Sequence, residues 1–254
     1  MNSKEELSPT QSHEQEPAKK EQREVIPLST ESREALEELS RELKNLQGRL
    51  DSPEIKKIAF GASGGEQEIG KQMVTLQKEN LPKIFGNTEF ETPYLPTHDI
   101  QTEQYSCQLA TTANVLRALG IPSTEREIAE AIGKSGKTAS IWPEELSVYL
   151  RSKGLEVSKI SSVLEAINSL ISGGKIILPL VPPKYPISHA VAISGIKIKN
   201  GKIEFYINDP QYKNYAEAVS LDDIADTIIP YSFHKMTPAY AISRKDIEQG
   251  APNE

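Results

Sequence analysis

Four side chains in this sequence are of the types that acyl transfer on a thiol requires. Cys107 is the only cysteine of the 254-residue chain and stands in the stretch QTEQYSCQLATTANVLRALG. A cysteine attacks a carbonyl as its thiolate, and the unpaired amides at a helix amino terminus favour that charged form. Leu109, Ala113 and Leu116 share one face of a helix that would begin at Cys107 and be stopped by Gly120 and Pro122. A thiol of this kind also needs an imidazole beside it, and the imidazole needs a third polar group to fix its tautomer.

Of the four histidines, His13 lies in a polar tail, His98 in a loop before the helix and His234 in a polar stretch near the end. His189 alone heads a strongly apolar strand, behind a loop bearing Pro182, Pro183 and Pro186. The following strand ends at Asn208, Asp209 and Pro210, so a hairpin would bring His189 and Asp209 to the same end of neighbouring strands. Gln101, six residues before the cysteine, can fold back and join the Cys107 amide as a second oxyanion donor. Each residue alone has an ordinary reading: a small buried thiol, a satisfied strand-end histidine, an Asp-Pro turn. Their order and their structural contexts are what point to a site.

The elements that must position these residues read as α+β. Helices are expected over 107–119, 124–132, from Pro143 onward, and over 161–171, where Gly173 and Gly174 end the last. Strands are expected at 175–181, at 189–198, at 202–209 after an Asn200-Gly201 turn, and at 239–244. Helices followed by hairpin-linked strands indicate an antiparallel sheet beside a helical layer. Upstream, Leu36, Leu39, Leu43, Leu46 and Leu50 recur at heptad spacing behind a helix start at Leu28-Ser29 and before Pro53. Two heptads fall short of a coiled coil. That face either docks on the chain's own domain or serves self-association or a partner through residues 30–50. A glycine-rich joint, GASGGEQ, precedes a helix carrying Ile69, Met73 and Leu76. The expected organisation is a polar tail (1–28), a helical extension with a glycine hinge (29–91), the main domain (92–246) and a short tail (247–254).

Composition narrows the function. Net charge is -7, which argues against nucleic acid as a partner. One cysteine allows no internal disulfide and fits a reducing compartment. No apolar run reaches the roughly 20 residues of a membrane span, and the amino terminus has no apolar core of a secretory signal, so a cytoplasmic protein is expected. No cofactor or metal motif stands out. AIGKSGKT at 131–138 fits a loose phosphate-loop pattern, but helical residues precede it where a buried strand should stand.

Gln-x5-Cys at the start of a central helix, then His heading one strand and Asp-Pro ending the next, resembles the papain-like cysteine peptidases. The order is most similar to the bacteriocin-leader-processing branch, the double-glycine peptidases and their stand-alone relatives. The similarity runs from Tyr94 to the last strand and includes IWPEELSVYLRSKGLEV around Trp142. It implies a papain-like α+β fold acting on a peptide or protein. Cys107 would be the nucleophile, His189 the general base and acid, Asp209 its orienter, and Gln101 a donor to the oxyanion hole. Ser106 and Gln108 flank the cysteine where relatives often carry Asp and Gly, so glycine-glycine specificity is not implied for this chain. Acyl or amide transfer on the same triad and a catalytically silent peptide-binding module are the rival expectations. Gly64-Gly65 loosely resembles the end of a double-glycine leader, although a hinge is the ordinary reading.

Overall fold

The computed structural model describes residues 28–50, 52, 64–102, 106–134, 143–180, 189–211, 214–228 and 239–245. Both expected tails apart from Leu28, and Pro53, Trp142, His234, the proline loop at 182–186 and most of the AIGKSGKT stretch, lie outside them. Two helices come first, α1 (Thr30–Leu50) and α2 (Gly64–Ile84). Ser29 starts α1 by accepting the Ser32 amide on its Oγ at 3.1 Å, and Leu28 packs against the core. The Ser32 hydroxyl donates to the Ile84 carbonyl at 2.9 Å, tying the start of α1 to the end of α2. Leu39, Leu43 and Leu50 are buried in one cluster with Ile69, Met73 and Leu81 of α2. The heptad face is thus covered within the chain. The glycine joint ends earlier than expected, because Gly64 and Gly65 already belong to α2.

The remaining elements are β1 (Glu89–Glu91), α3 (Cys107–Ala118), α4 (Glu125–Ala131), α5 (Pro143–Ser152), β2 (Leu155–Ile160), α6 (Val163–Ile171), β3 (Lys175–Leu180), β4 (His189–Lys199), β5 (Lys202–Asn208), β6 (Glu217–Ser220), α7 (Leu221–Ile228) and β7 (Ala239–Arg244). Among the described residues, the seven strands form one antiparallel sheet in the order β2-β7-β3-β4-β5-β6, with β1 pairing the far end of β4. The Asn200-Gly201 turn has both residues at positive φ, 50° and 75°, as a tight hairpin requires.

Helices cover both faces of this sheet, not one as the sequence alone suggested. In β7, Ala239 and Ala241 point to the cluster that contains α1, α2, α6 and α7, while Tyr240 and Ile242 point to that of α3, α4 and α5. A sheet covered on both faces needs apolar residues at every position, which accounts for the unbroken runs KIILPL and HAVAISGI. Helix α3 is buried from Leu109 through Leu116, and its polar members are all bonded. Thr112 donates to the Gln108 carbonyl at 2.7 Å, and Asn114 to the Asp99 carbonyl at 3.1 Å.

Candidate active site

Cys107 is the first residue of α3 and is half-buried. Ser106 before it makes no side-chain capping bond, so no cap side chain takes up the first amides of the helix. One turn on, the Thr111 hydroxyl donates to the Ala190 carbonyl at 2.8 Å, which fixes the start of the helix over the start of β4. His189, the first residue of β4, has a side chain only 6% exposed. Its Nε2 donates to Asp209 Oδ1 at 2.8 Å, and the Cys107 side chain hydrogen-bonds the imidazole, which leaves Nδ1 for the thiol. Burial pulls the imidazole toward its neutral form. The hydrogen bonds to Asp209 and Cys107, together with the charges of both, outweigh it and raise the pKa to about 9. Burial likewise pushes the Asp209 carboxyl up, but the His189 bond and the Gln211 amide, donating at 2.9 Å, bring it below the usual carboxylate value. The result is a charged imidazole held between a carboxylate and a thiol at neutral pH.

Asp209 reaches this position because β4 carries a bulge. Near the turn the register runs from Lys199↔Lys202 to Gly195↔Tyr206, and beyond the bulge it continues as Ile193↔Ile207 and Ala192↔Asn208. Directly paired residues share a face of the sheet. Without the bulge, Asp209 would fall on the face opposite His189, whereas the extra residue, Ser194, shifts the pairing by one and puts both on the same face. The bulge also carries the segment that enters the site. The Leu95 amide donates to Ser194 Oγ at 3.2 Å, and the Thr92 amide to the Ile196 carbonyl at 2.9 Å. A Cβ on Gly195 would lie 2.6 Å from Tyr94 Cβ and 2.9 Å from Thr92 Oγ1, so only glycine lets the chain cross here.

That segment, residues 92–102, holds Gln101 beside the triad by its backbone: the Gln101 amide donates to the Pro210 carbonyl at 2.8 Å. His98 is not at the thiol. It is buried, and its Nδ1 accepts from Asn208 Nδ2 at 3.0 Å while its Nε2 donates to the Asp209 carbonyl at 2.9 Å. An acceptor Nδ1 fixes His98 as the neutral Nε2–H tautomer. On the other side, Asn114 of α3 exchanges two hydrogen bonds with the Asp99 backbone, each 3.1 Å, and Arg117 pairs with the Asp99 carboxylate at 2.5 Å. His98 and Asn114 therefore bolt the Gln101 segment to the end of β5 and to the nucleophile helix. Sequence reasoning passed over both. The available signal was Asn114, a polar residue in the middle of a buried helix.

Residues 90–234, more than half of the chain, match the profile of the Peptidase C39 like family. The chain belongs to that family and has its papain-like α+β fold, helices packed on an antiparallel sheet. Among solved structures it is similar to the peptidase domain of Streptococcus ComA, a bifunctional ABC transporter of a quorum-sensing pathway. Identity there is 16%, covering 59% of this chain and 97% of that one, with a TM-score of 0.40. It is also similar to a double-glycine-motif protease from an AMS/PCAT transporter in complex with a leader peptide, at 19% identity, 59% and 91% coverage and a TM-score of 0.39. No curated protein sequence matches the chain. Among the described residues no helix is long and apolar enough to cross a membrane.

Proposed function

We propose that the chain is a cysteine peptidase that hydrolyses peptide bonds through Cys107, His189 and Asp209. The observation that carries this reading is the imidazole of His189, hydrogen-bonded to Asp209 on one side and to Cys107 on the other. The Cys107 thiolate attacks the scissile carbonyl, and the tetrahedral oxyanion is met by the Cys107 amide and the Gln101 side chain. His189 passes its Nδ1 proton to the leaving amine, which departs and leaves a thioester on Cys107. The imidazole, now neutral, takes a proton from water as the water attacks the thioester. The acid product leaves and the thiolate–imidazolium pair is restored. Asp209 keeps Nε2–H pointed away from the thiol throughout. The reading calls for no cofactor. A reducing compartment such as the cytoplasm suits a lone reactive thiol.

The test is incubation of the wild-type chain and Cys107→Ala with a mixture of denatured proteins, with new termini identified by mass spectrometry. Cleavage by wild type alone supports the reading. Adding an amine acceptor separates hydrolysis from transfer, because transfer replaces free acid products with amides. An uncleaved mixture with no thioester trapped by hydroxylamine would overturn both enzyme readings and leave a peptide-binding domain.

A further inference from the structure

We infer that the pocket beside Cys107 is a subsite for a substrate tyrosine side chain, and that Gln108 is the residue that reads its hydroxyl. The inference deepens the peptidase reading and rests on it. The pocket encloses about 360 Å³ of empty space on the α3 side of the sheet, lined by Leu146 and Leu150 of α5, Ile177 and Pro179 of β3, Ala190 of β4, and Gln108. Gln108 follows the nucleophile and Ala190 follows His189, so the pocket opens one residue from both reacting groups. Its space arises from the strand pairing. The ladder between β3 and β7 covers only Lys175–Ile177, and Pro179, lacking an N–H, cannot extend it.

The chemistry of the lining selects the occupant. The walls are apolar and wide enough for an aromatic ring. Gln108 Oε1 is buried and has no hydrogen-bond partner among the described residues. A buried acceptor left open favours a guest that brings a donor, and a site of this kind discriminates against an analogue lacking it. No carboxylate lines the pocket, so a lysine would bring an uncompensated charge. Tyrosine combines an apolar ring with a neutral donor at its tip. Phenylalanine fills the same space and leaves Oε1 unpaired.

The experiment uses the full chain carrying Cys107→Ala, with N-acetyl-tyrosinamide and N-acetyl-phenylalaninamide as probes, titrated by NMR while the Gln108 and Ala190 amides are followed. The expected result is about tenfold tighter binding of the tyrosine probe. Added Gln108→Leu should remove that gap with the fold unchanged by circular dichroism, and Gln108→Glu, which keeps an acceptor, should retain it. Equal affinities in the Gln108 protein, or a gap that survives Gln108→Leu, would overturn the inference. A library of fluorogenic tetrapeptide amides on the unsubstituted chain separates the two readings. Cleavage without any tyrosine preference sinks the subsite alone, and no cleavage of any member together with a preserved binding gap sinks the peptidase reading alone.

Discussion

Replacing Asp209 by Asn isolates what its charge does for the site. Asn keeps the shape and can still accept from His189 Nε2 and the Gln211 amide, the two bonds that Oδ1 makes at 2.8 and 2.9 Å. What is lost is the negative charge that helps hold His189 protonated up to about 9. A hydrogen bond to a charged group contributes about 1.5–3 kcal/mol. At 1.36 kcal/mol per pKa unit, losing the charged part lowers the imidazole by roughly 1–2 units. The His189 titration is read from imidazole carbon–proton NMR shifts of the labelled chain, assigned with His189→Gln. The wild-type midpoint should stand near 9 and that of Asp209→Asn near ~7–8, with Cys107 still supplying part of the rise. The alkaline limb of kcat/KM should move by the same amount, because the leaving amine needs the imidazolium proton. A midpoint that does not move would refute the assignment of Asp209 as the group that holds the imidazole charged.

Stability should follow the same titration. His189 is raised from its ordinary 6.5, so its contribution is fully present below 6.5 and is lost as pH rises through about 9. The urea midpoint should therefore fall between those values, and fall less in His189→Gln. Gly195→Ala forces a Cβ to within 2.6 Å of Tyr94 Cβ, and overpacking of that kind costs about 1–3 kcal/mol, measurable by urea unfolding, with Gln101 displaced as a consequence. Leu43→Ala should destabilise by about 2–4 kcal/mol if α1 is part of the core, whereas an unchanged melting temperature would mean that the leucine face does not hold the domain together. Gln101→Ala should lower kcat by roughly 10²-fold with KM little changed, and a loss confined to KM would assign it to binding instead.

The triad is legible in the sequence because each member stands at a boundary: Cys107 at a helix start, His189 at a strand start, Asp209 where the next strand stops. Hairpin arithmetic brings the last two to one end of the sheet. It does not give their common face, which depends on the single extra residue at Ser194. A Ser-Gly pair inside an otherwise apolar strand is the only trace of that bulge in the sequence. The strands β1, β2 and β6 escaped notice because they are short or studded with charge, as in EFE and LEVSKI, and take their structure from the neighbours they pair with. Helix α7 was missed as well, since LDDIADTI follows β6 with no separating turn signal. The second helical layer was within reach. An antiparallel sheet wet on one side alternates, and KIILPL and HAVAISGI do not.

Labelling of Cys107 by a peptidyl electrophile, followed by intact-mass spectrometry at neutral pH, tests the central claim most directly. The account predicts a single adduct at Cys107, formed far faster than on a free thiol such as glutathione and slowed sharply by His189→Ala. Labelling no faster than glutathione, or unaffected by loss of His189, would contradict it.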